Sequence, residues 1–284
     1  MKVHIEKNIS IKNAETRDFL ADAYYPEMVE KLPLVIFAHG YKGYKDWGAW
    51  DLMAKKFAEA GFFFVKFNFS HNGTTLEQPA DFADLEAFGN NNFSKEISDY
   101  DEVLNYFYNH QKVNQDKIAI IGHSRGGGIT VIKGFEDERV KVIISLAGVS
   151  NFKYRFPSQD RFENWKNEGV MYSENKRTHQ NMPHYFQFFE DFEKNEKRFD
   201  IQYAAQHLEK PLLILQGTND DAVKDKEAFL LNEWCKTSEL QFIDGANHTF
   251  GAKEPWTETE LPIDLKDATS LMIQFIKTHF SSSM

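Results

Sequence analysis

The sequence predicts an α/β fold in which helices flank a mostly parallel central sheet. The first observation is a set of short segments that are apolar almost throughout, which is typical of strands buried on both faces of a parallel sheet. These segments are Leu34–Ala38, Phe62–Phe67, Ile118–Ile121, Val142–Leu146, Leu212–Leu215 and Leu240–Ile243. The second observation is a set of segments of helical length and period between and after them. They are Trp50–Ala60, Ile97–His110, Ala222–Cys235 and Leu265–Phe280. This alternation favours parallel strands joined by right-handed crossovers.

Two regions depart from the alternation. The stretch Ile5–Ala23, ahead of the first buried segment, is predicted to form antiparallel edge strands. More than sixty residues separate the fourth buried segment from the fifth, which is too many for a simple crossover. We therefore divide the chain into a core, residues 1–150 and 205–284, and an insert, residues 151–204. The last four residues, Ser281–Met284, are expected to form a frayed tail.

The insert is rich in aromatic residues and balanced in charge. It contains 13 aromatic residues, nine Lys or Arg and nine Asp or Glu. Since a long structureless loop is uncommon in a compact domain, we expect a small helical unit with an apolar underside that forms a lid over the core. An equally open alternative is that the aromatic residues only attach the insert to the core.

Composition excludes several classes of protein. The chain has 33 Lys and Arg against 43 Asp and Glu, a net charge of −10, which argues against nucleic acid or an anionic membrane surface as a partner. Cys235 is the one cysteine, so no intramolecular disulfide or cysteine-based zinc cluster can form. The first ten residues lack the apolar stretch of a secretion signal, and no apolar run approaches the roughly 18–20 residues that cross a membrane. These features predict a soluble, cytoplasmic protein.

The most informative segment is Gly122-His123-Ser124-Arg125-Gly126, which lies between a predicted strand and a predicted helix. In a G-x-S-x-G turn the backbone bends so sharply at the serine that larger side chains at the glycine positions would collide. The turn raises the serine hydroxyl above the sheet, and the following helix points its N-terminus at the same place. The segment therefore predicts a nucleophilic serine. The alternative, a glycine-rich turn with a spectator serine, is disfavoured by the flanking strand and helix.

A serine needs a general base and an orienting acid to act as a nucleophile. The loop after the last buried segment contains His248, and the loop after the segment before it contains Asp220 and Asp221. Both loops leave the C-terminal ends of strands, where open α/β sheets place their reactive groups. The chain order Ser124, Asp, His248 is the order that this kind of fold uses. The spacing alone leaves both carboxylates open as the acid.

An anion site for a tetrahedral intermediate is predicted beside the serine. The expected donors are the backbone N–H of Arg125, the residue after the nucleophile, and the backbone N–H of Tyr41 in the loop after the first buried strand. Gly40 would let this loop turn toward the serine, although an ordinary turn at a strand end is the alternative. We expect the Arg125 side chain to form a structural ion pair. No cofactor and no metal are expected.

These motifs resemble those of serine hydrolases of the α/β-hydrolase superfamily, and the resemblance covers almost the whole chain. The matching pieces are His39–Tyr41, Phe67–Gly73, Gly122–Gly126, Gly217–Asp220 with Val223, and Gly245–His248. The resemblance implies the α/β-hydrolase fold, selects Asp220 as the acid through a G-x-x-D-x-x-V pattern, and makes the insert a lid. The chain departs from the family at Asn68, Ser70 and His71, where relatives carry an arginine–aspartate loop. Among subfamilies, the motifs are most similar to small acyl and cinnamoyl esterases and dienelactone-hydrolase-like proteins.

The expected function is hydrolysis of a carboxylic ester of a small acyl or aromatic-acyl substrate through an acyl-enzyme. Thioester and amide hydrolysis use the same groups, so a thioesterase or a peptidase is the alternative, and a non-catalytic binder of small molecules is a further one. Peptidase relatives usually carry extra domains or an acidic anchor for a peptide amine, and the sequence shows no unambiguous anchor. The expected partner is a small-molecule ester, without nucleic acid or membrane; a homodimer is left open.

Overall fold

Eight strands form one sheet in the computed structural model, which describes residues 2–281. In chain order the strands are β1 (Val3–Ile11), β2 (Phe19–Pro26), β3 (Leu32–Ala38), β4 (Phe63–Phe67), β5 (Val113–His123), β6 (Val142–Leu146), β7 (Val170–Asn175), β8 (Gln180–Tyr185), β9 (Leu212–Gly217) and β10 (Ser238–Ile243). Strands β7 and β8 form a separate hairpin. Residues 282–284 lie outside the described residues. They include the end of the predicted core and three of the four residues of the predicted tail.

The strand order in the main sheet is β1-β2-β4-β3-β5-β6-β9-β10. Strand β2 pairs antiparallel with both β1 and β4, and the remaining neighbours pair in parallel. The predicted parallel sheet and its antiparallel edge strands are therefore confirmed. In β3, Leu34 and Ile36 enter the core on one face while Val35 and Phe37 enter the core on the other, which explains why this strand is apolar throughout.

Helices cover both faces of the sheet. They are α1 (Trp50–Glu59), α2 (Leu85–Gly89), α3 (Phe93–Tyr108), α4 (Arg125–Glu136), α5 (Gln159–Glu168), α6 (Gln187–Lys194), α7 (Ile201–Gln206), α8 (Asp225–Trp234) and α9 (Ile263–Ser281). Buried residues of α3, α4, α7 and α8 belong to the core on one face, and those of α1 and α9 to the core on the other. Among residues 2–281, no helix combines the length and apolar character needed to span a membrane.

The insert is not wholly helical, so that part of the prediction is wrong. Residues 151–204 contain α5, α6 and α7 but also the β7–β8 hairpin, on whose strands Tyr172, Glu174 and Asn181 are exposed. The hairpin is fixed by tertiary contacts: Met182 is fully buried in a small cluster with Tyr44, Phe82 and Phe88. The C-terminal end of the insert belongs to the core, because α7 buries its apolar residues in the same cluster as α4.

A partly buried cluster of charges fastens the edge of the sheet to the loop after β3. It consists of Lys7, Lys45, Lys66, Asp22, Asp46 and Asp51. Asp22 lies fully buried between the ammonium groups of Lys45 and Lys66, at 2.9 and 2.8 Å. The three carboxylates are the one acidic group in residues 2–281 that is compact enough for a metal ion, and three lysines balance their charge. The backbone N–H of Lys45 also donates to Asn68 Oδ1 at 2.6 Å, which ties the loop after β3 to the loop after β4.

Candidate active site

Ser124 occupies the sharp turn between β5 and α4. Its backbone angles, φ 58° and ψ −120°, lie outside the regions that non-glycine residues prefer. A Cβ atom on Gly122 would lie 2.1 Å from the carbonyl oxygen of Gly126, and one on Gly126 would lie 2.5 Å from the carbonyl oxygen of His39. The two glycines of the motif are therefore required by close backbone contacts, as the sequence predicts.

A chain of hydrogen bonds joins Ser124, His248 and Asp220. The Ser124 Oγ lies 3.0 Å from His248 Nε2, and His248 Nδ1 lies 2.8 Å from Asp220 Oδ2. The other oxygen of Asp220, Oδ1, accepts hydrogen bonds from the backbone N–H groups of Ala222 and Val223 at 2.8 and 2.9 Å. Burial by itself would raise the pKa of Asp220, but the hydrogen bond and charge of His248 together with these two N–H groups lower it below its ordinary value. The carboxylate therefore stays ionised beside the imidazole.

The structure distinguishes the two adjacent carboxylates. The Asp220 side chain is fully buried against His248, whereas the Asp221 side chain is fully exposed and pairs with Lys224 at 2.8 Å. Asp221 does not approach the imidazole among the described contacts. Of the two residues that the spacing left open, the structure brings only Asp220 to the candidate site.

The loop after β3 packs directly against the serine. A Cβ atom on Gly40 would lie 2.8 Å from Ser124 Cβ, so only glycine permits this approach. Tyr41 follows Gly40, and Arg125 follows Ser124 as the first residue of α4, where a backbone N–H has no acceptor within its own helix. Both predicted oxyanion donors thus belong to segments in contact with the nucleophile.

Two histidines to which the sequence analysis assigned no role, His39 and His123, hold this arrangement. His39 is buried, donates from Nδ1 to the carbonyl oxygen of Gly40 at 2.8 Å and accepts at Nε2 from the Phe69 backbone N–H at 3.3 Å. His123 donates from Nε2 to the backbone carbonyl oxygen of His248 at 2.8 Å. Burial lowers the pKa of His39 to about 4 and that of His123 to about 3, so both rings are neutral at neutral pH. The one feature of the sequence that points to these histidines is their position in the His39–Tyr41 and Gly122–Gly126 motifs.

The insert contacts both predicted oxyanion residues. A hydrogen bond of 2.6 Å joins the Tyr41 hydroxyl to Nε2 of His184 on β8. The Arg125 guanidinium lies over the rings of Tyr41 and Phe188, at 5.2 and 5.9 Å from their centroids. The same guanidinium pairs with buried Glu96 at 2.5 Å, which confirms the predicted structural ion pair. The insert therefore contacts the groups around the nucleophile.

Two cavities meet at Ser124, His248 and Tyr41. The first, here called the aromatic cavity, has a volume of about 490 Å³, and its aromatic wall comes largely from the insert. It is lined by Phe93, Phe152, Phe156, Trp165, Tyr172 and Phe188 together with Arg125, Arg155 and Arg161. The second, here called the cationic cavity, has a volume of about 470 Å³ and is lined by Trp47, Trp50, Lys42, Lys176, Arg177, Lys253 and Glu254. Each is large enough for a small organic ligand. A third cavity, of about 370 Å³, lies beside β2 away from Ser124.

The fold and this geometry define a class of protein: a serine hydrolase of the α/β-hydrolase type. Residues 51–261 match the model of the prolyl oligopeptidase family (peptidase family S9), and the chain belongs to that family. A search for similar sequences among curated proteins gave no match.

Solved structures share the fold along the whole chain. The esterase Est1E from Butyrivibrio proteoclasticus with bound ferulic acid is 16% identical with a TM-score of 0.75, covering 96% of this chain and 99% of that one. The esterase domain of a Rhodothermus marinus protein is 15% identical with a TM-score of 0.66, covering 98% and 99%. A putative dienelactone hydrolase from Klebsiella pneumoniae is 15% identical with a TM-score of 0.63, covering 98% and 99%. At these identities the likeness establishes the fold.

Proposed function

We propose that this chain is a carboxylic ester hydrolase that cleaves small acyl or aromatic-acyl esters through an acyl-enzyme on Ser124. The observation that carries the proposal is the chain of hydrogen bonds from Ser124 Oγ through His248 to Asp220, at 3.0 and 2.8 Å, at the mouth of the aromatic cavity. A hydroxyl bonded to a base that is oriented by a buried acid is the arrangement of an activated nucleophile.

In the proposed reaction, Ser124 Oγ attacks the ester carbonyl carbon while His248 Nε2 takes its proton. The N–H groups of Tyr41 and Arg125 then donate to the oxygen that becomes negatively charged. When the tetrahedral intermediate collapses, His248 returns the proton to the departing alcohol, and the acyl group remains on Ser124. Water, deprotonated by His248, attacks the acyl-enzyme, and the second collapse returns the proton to Ser124 and releases the carboxylic acid.

Three further residues position these groups. Asp220 accepts from His248 Nδ1, which leaves Nε2 free to accept the serine proton. His39 holds the carbonyl of Gly40, the residue before the Tyr41 donor, and His123 holds the backbone of His248. Since both rings are neutral well below pH 7, these bonds persist over the working range of a histidine base.

A peptidase is the second candidate, because the family to which the chain belongs is named for one. Within residues 2–281, no carboxylate lines the aromatic cavity, and Glu254 is the one carboxylate that lines the cationic cavity beside four cations. Such walls repel the ammonium group of a peptide N-terminus. The esterase neighbours, one of them with an aromatic acid bound, agree with the ester proposal. A thioesterase would use the same groups and differs only in the leaving atom.

The deciding experiment compares leaving groups on one acyl chain. The 4-nitrophenyl ester, the 4-nitroanilide and a thioester of butyric acid are assayed side by side, together with methyl esters of hydroxycinnamic acids, and Ser124→Ala serves as the control for contaminating activity. We expect kcat/KM for the ester, corrected for its rate of alkaline hydrolysis, to exceed the values for the anilide and the thioester. Ester turnover should be lost in Ser124→Ala. Faster anilide cleavage, or full ester turnover in Ser124→Ala, would refute the proposal.

A further inference from the structure

Positive charge is concentrated around one side of the candidate site, although the whole chain carries a net charge of −10. The cationic cavity is lined by Lys42, Lys176, Arg177 and Lys253, against the single carboxylate of Glu254. Within residues 2–281, none of these four cations lies within 4.0 Å of a carboxylate oxygen. The cations of this wall therefore outnumber its one carboxylate by four to one, in a protein with an excess of acids.

Lys42 lies deepest of these four cations. It is half-buried, and its ammonium group donates to Ser173 Oγ at 2.9 Å and to the backbone oxygen of Glu174 at 2.7 Å, both uncharged acceptors. Burial lowers the pKa of Lys42 despite the attraction of the Glu174 carboxylate. A partly desolvated ammonium without a close anion is unfavourable, and an anionic ligand in the cavity would offset that cost.

The aromatic cavity on the other side of Ser124 differs in charge and in lining. Two of its three arginines are neutralised, Arg125 by Glu96 and Arg155 by Glu227. The third, Arg161, is exposed at the rim. The aromatic wall therefore suits an uncharged apolar group, and an ester bound at Ser124 extends from an apolar cavity on one side to a cationic cavity on the other.

We propose that the substrates of this site are esters that join an apolar or aromatic group to a group carrying a carboxylate or phosphate, with the anion held in the cationic cavity by Lys42, Lys176 and Arg177. The inference rests on the proposed ester hydrolysis and adds the charge of the substrate. All of these substrates carry one anionic group on the opposite side of the ester bond from an apolar group. The anion can belong to the acyl part or to the alcohol part, and the test has an arm for each.

The test uses two pairs of esters that differ only in charge. In the alcohol arm, 4-carboxyphenyl butyrate is compared with 4-carbamoylphenyl butyrate; in the acyl arm, the 4-nitrophenyl half-ester of adipic acid is compared with that of adipamic acid. Values of kcat/KM are divided by the rates of alkaline hydrolysis and measured at low and high ionic strength. In one arm we expect the anionic ester to be favoured by about 10- to 100-fold at low salt. Salt should reduce this preference.

A matched pair of variants shows whether the cavity is responsible. Lys176→Gln/Arg177→Gln removes two charges from the cationic cavity. Lys117→Gln/Lys141→Gln also removes two charges, but Lys117 lies five residues into β5 and Lys141 directly precedes β6, and neither lines the cavity. In the first variant, the ratio of corrected kcat/KM for the anionic ester to that for the neutral ester should move toward one. In the second variant this ratio should be unchanged. Equal, salt-insensitive rates in both arms, or an equal loss of preference in the two variants, would overturn the inference while ester hydrolysis stands. Failure to cleave any of the four esters would overturn the proposed function as well.

Discussion

Replacing Asp220 by asparagine changes which nitrogen of His248 carries the proton. Asp220 Oδ1 accepts from two backbone N–H groups, those of Ala222 and Val223, at 2.8 and 2.9 Å, so the oxygen of an asparagine amide must stay at that position. The amide NH₂ then takes the position of Oδ2, 2.8 Å from His248 Nδ1. Because Nδ1 now faces an NH₂ donor, it must become the acceptor, and the imidazole proton moves to Nε2. Nε2 is the atom that has to accept the proton of the Ser124 hydroxyl. The variant keeps the geometry but holds the base in the wrong tautomer.

The expected loss in kcat is about 10⁴-fold, equivalent to roughly 5 kcal/mol of transition-state stabilisation. Gln216 also donates to Asp220 Oδ2, at 3.0 Å, and its NH₂ would face the new NH₂, so we expect the free energy of unfolding to fall as well. The assay is burst and steady-state hydrolysis of 4-nitrophenyl butyrate, with urea unfolding to show that the variant is folded at the assay temperature. Residual turnover that disappears only as the whole protein is labelled by a fluorophosphonate belongs to the variant, whereas turnover lost at a trace of reagent belongs to wild-type contamination.

Asp221→Asn is the matched control, since it makes the same change one residue away. The Asp221 side chain is fully exposed and contacts only Lys224 among the described partners. The kcat of Asp221→Asn should therefore stay within about twofold of the wild-type value. A folded Asp220→Asn enzyme within tenfold of the wild type, or a larger loss in Asp221→Asn than in Asp220→Asn, would refute the tautomer argument.

Three further predictions follow from the contacts around the nucleophile. Gly40→Ala places a Cβ atom 2.8 Å from Ser124 Cβ, so it should lower kcat by about 10²- to 10³-fold through displacement of the oxyanion loop; unchanged steady-state kinetics would contradict this. His184→Ala removes the 2.6 Å bond to Tyr41 and should lower kcat about tenfold more than it changes KM, with partial rescue in His184→Gln; a change in KM alone would show that His184 only lines the pocket. The pKa of His123 is lowered from 6.5 to about 3, so below pH 6.5 the unfolded chain binds a proton that the folded chain does not, and stability falls as pH falls. In urea titrations from pH 6.5 to 4.5, His123→Gln should therefore reduce the slope of unfolding free energy against pH by roughly 1 kcal/mol per unit, and an unchanged slope would contradict the neutral buried ring.

The parts of the fold that the sequence predicts are those governed by local periodicity. Strands β3, β4, β6 and β9 and the C-terminal half of β5 are buried on both faces, and the glycines around Ser124 are forced by backbone contacts, so both leave a pattern in the chain. The predicted burial of Leu240–Ile243 on both faces is wrong, because β10 is an edge strand on which Glu239 and Phe242 are exposed. Lys66 interrupts the apolar strand β4 because its ammonium group lies in a buried ion cluster with Asp22, assembled from segments far apart in sequence. That partner cannot be identified before the fold is known.

The parts that the sequence does not predict depend on tertiary contacts. The β7–β8 hairpin contains Pro183 and a run of polar residues without alternation, and it is fixed by the burial of Met182 and the bond from His184 to Tyr41. His39 and His123 lie beside recognised motifs, but the Phe69 N–H that donates to His39 and the His248 carbonyl that accepts from His123 are brought near only by the folded chain. Spacing likewise could not separate Asp220 from its neighbour, because the difference between them is burial.

Covalent labelling by a fluorophosphonate tests the central claim, that Ser124 is a nucleophile activated by His248, most directly. The protein is incubated with a small fluorophosphonate, and intact mass and peptide mapping locate the adduct. We predict one adduct per chain, on Ser124, formed at a rate that falls together with ester turnover in His248→Ala. An adduct on another residue, or ester turnover that continues in a protein that is not labelled at Ser124, would contradict the account.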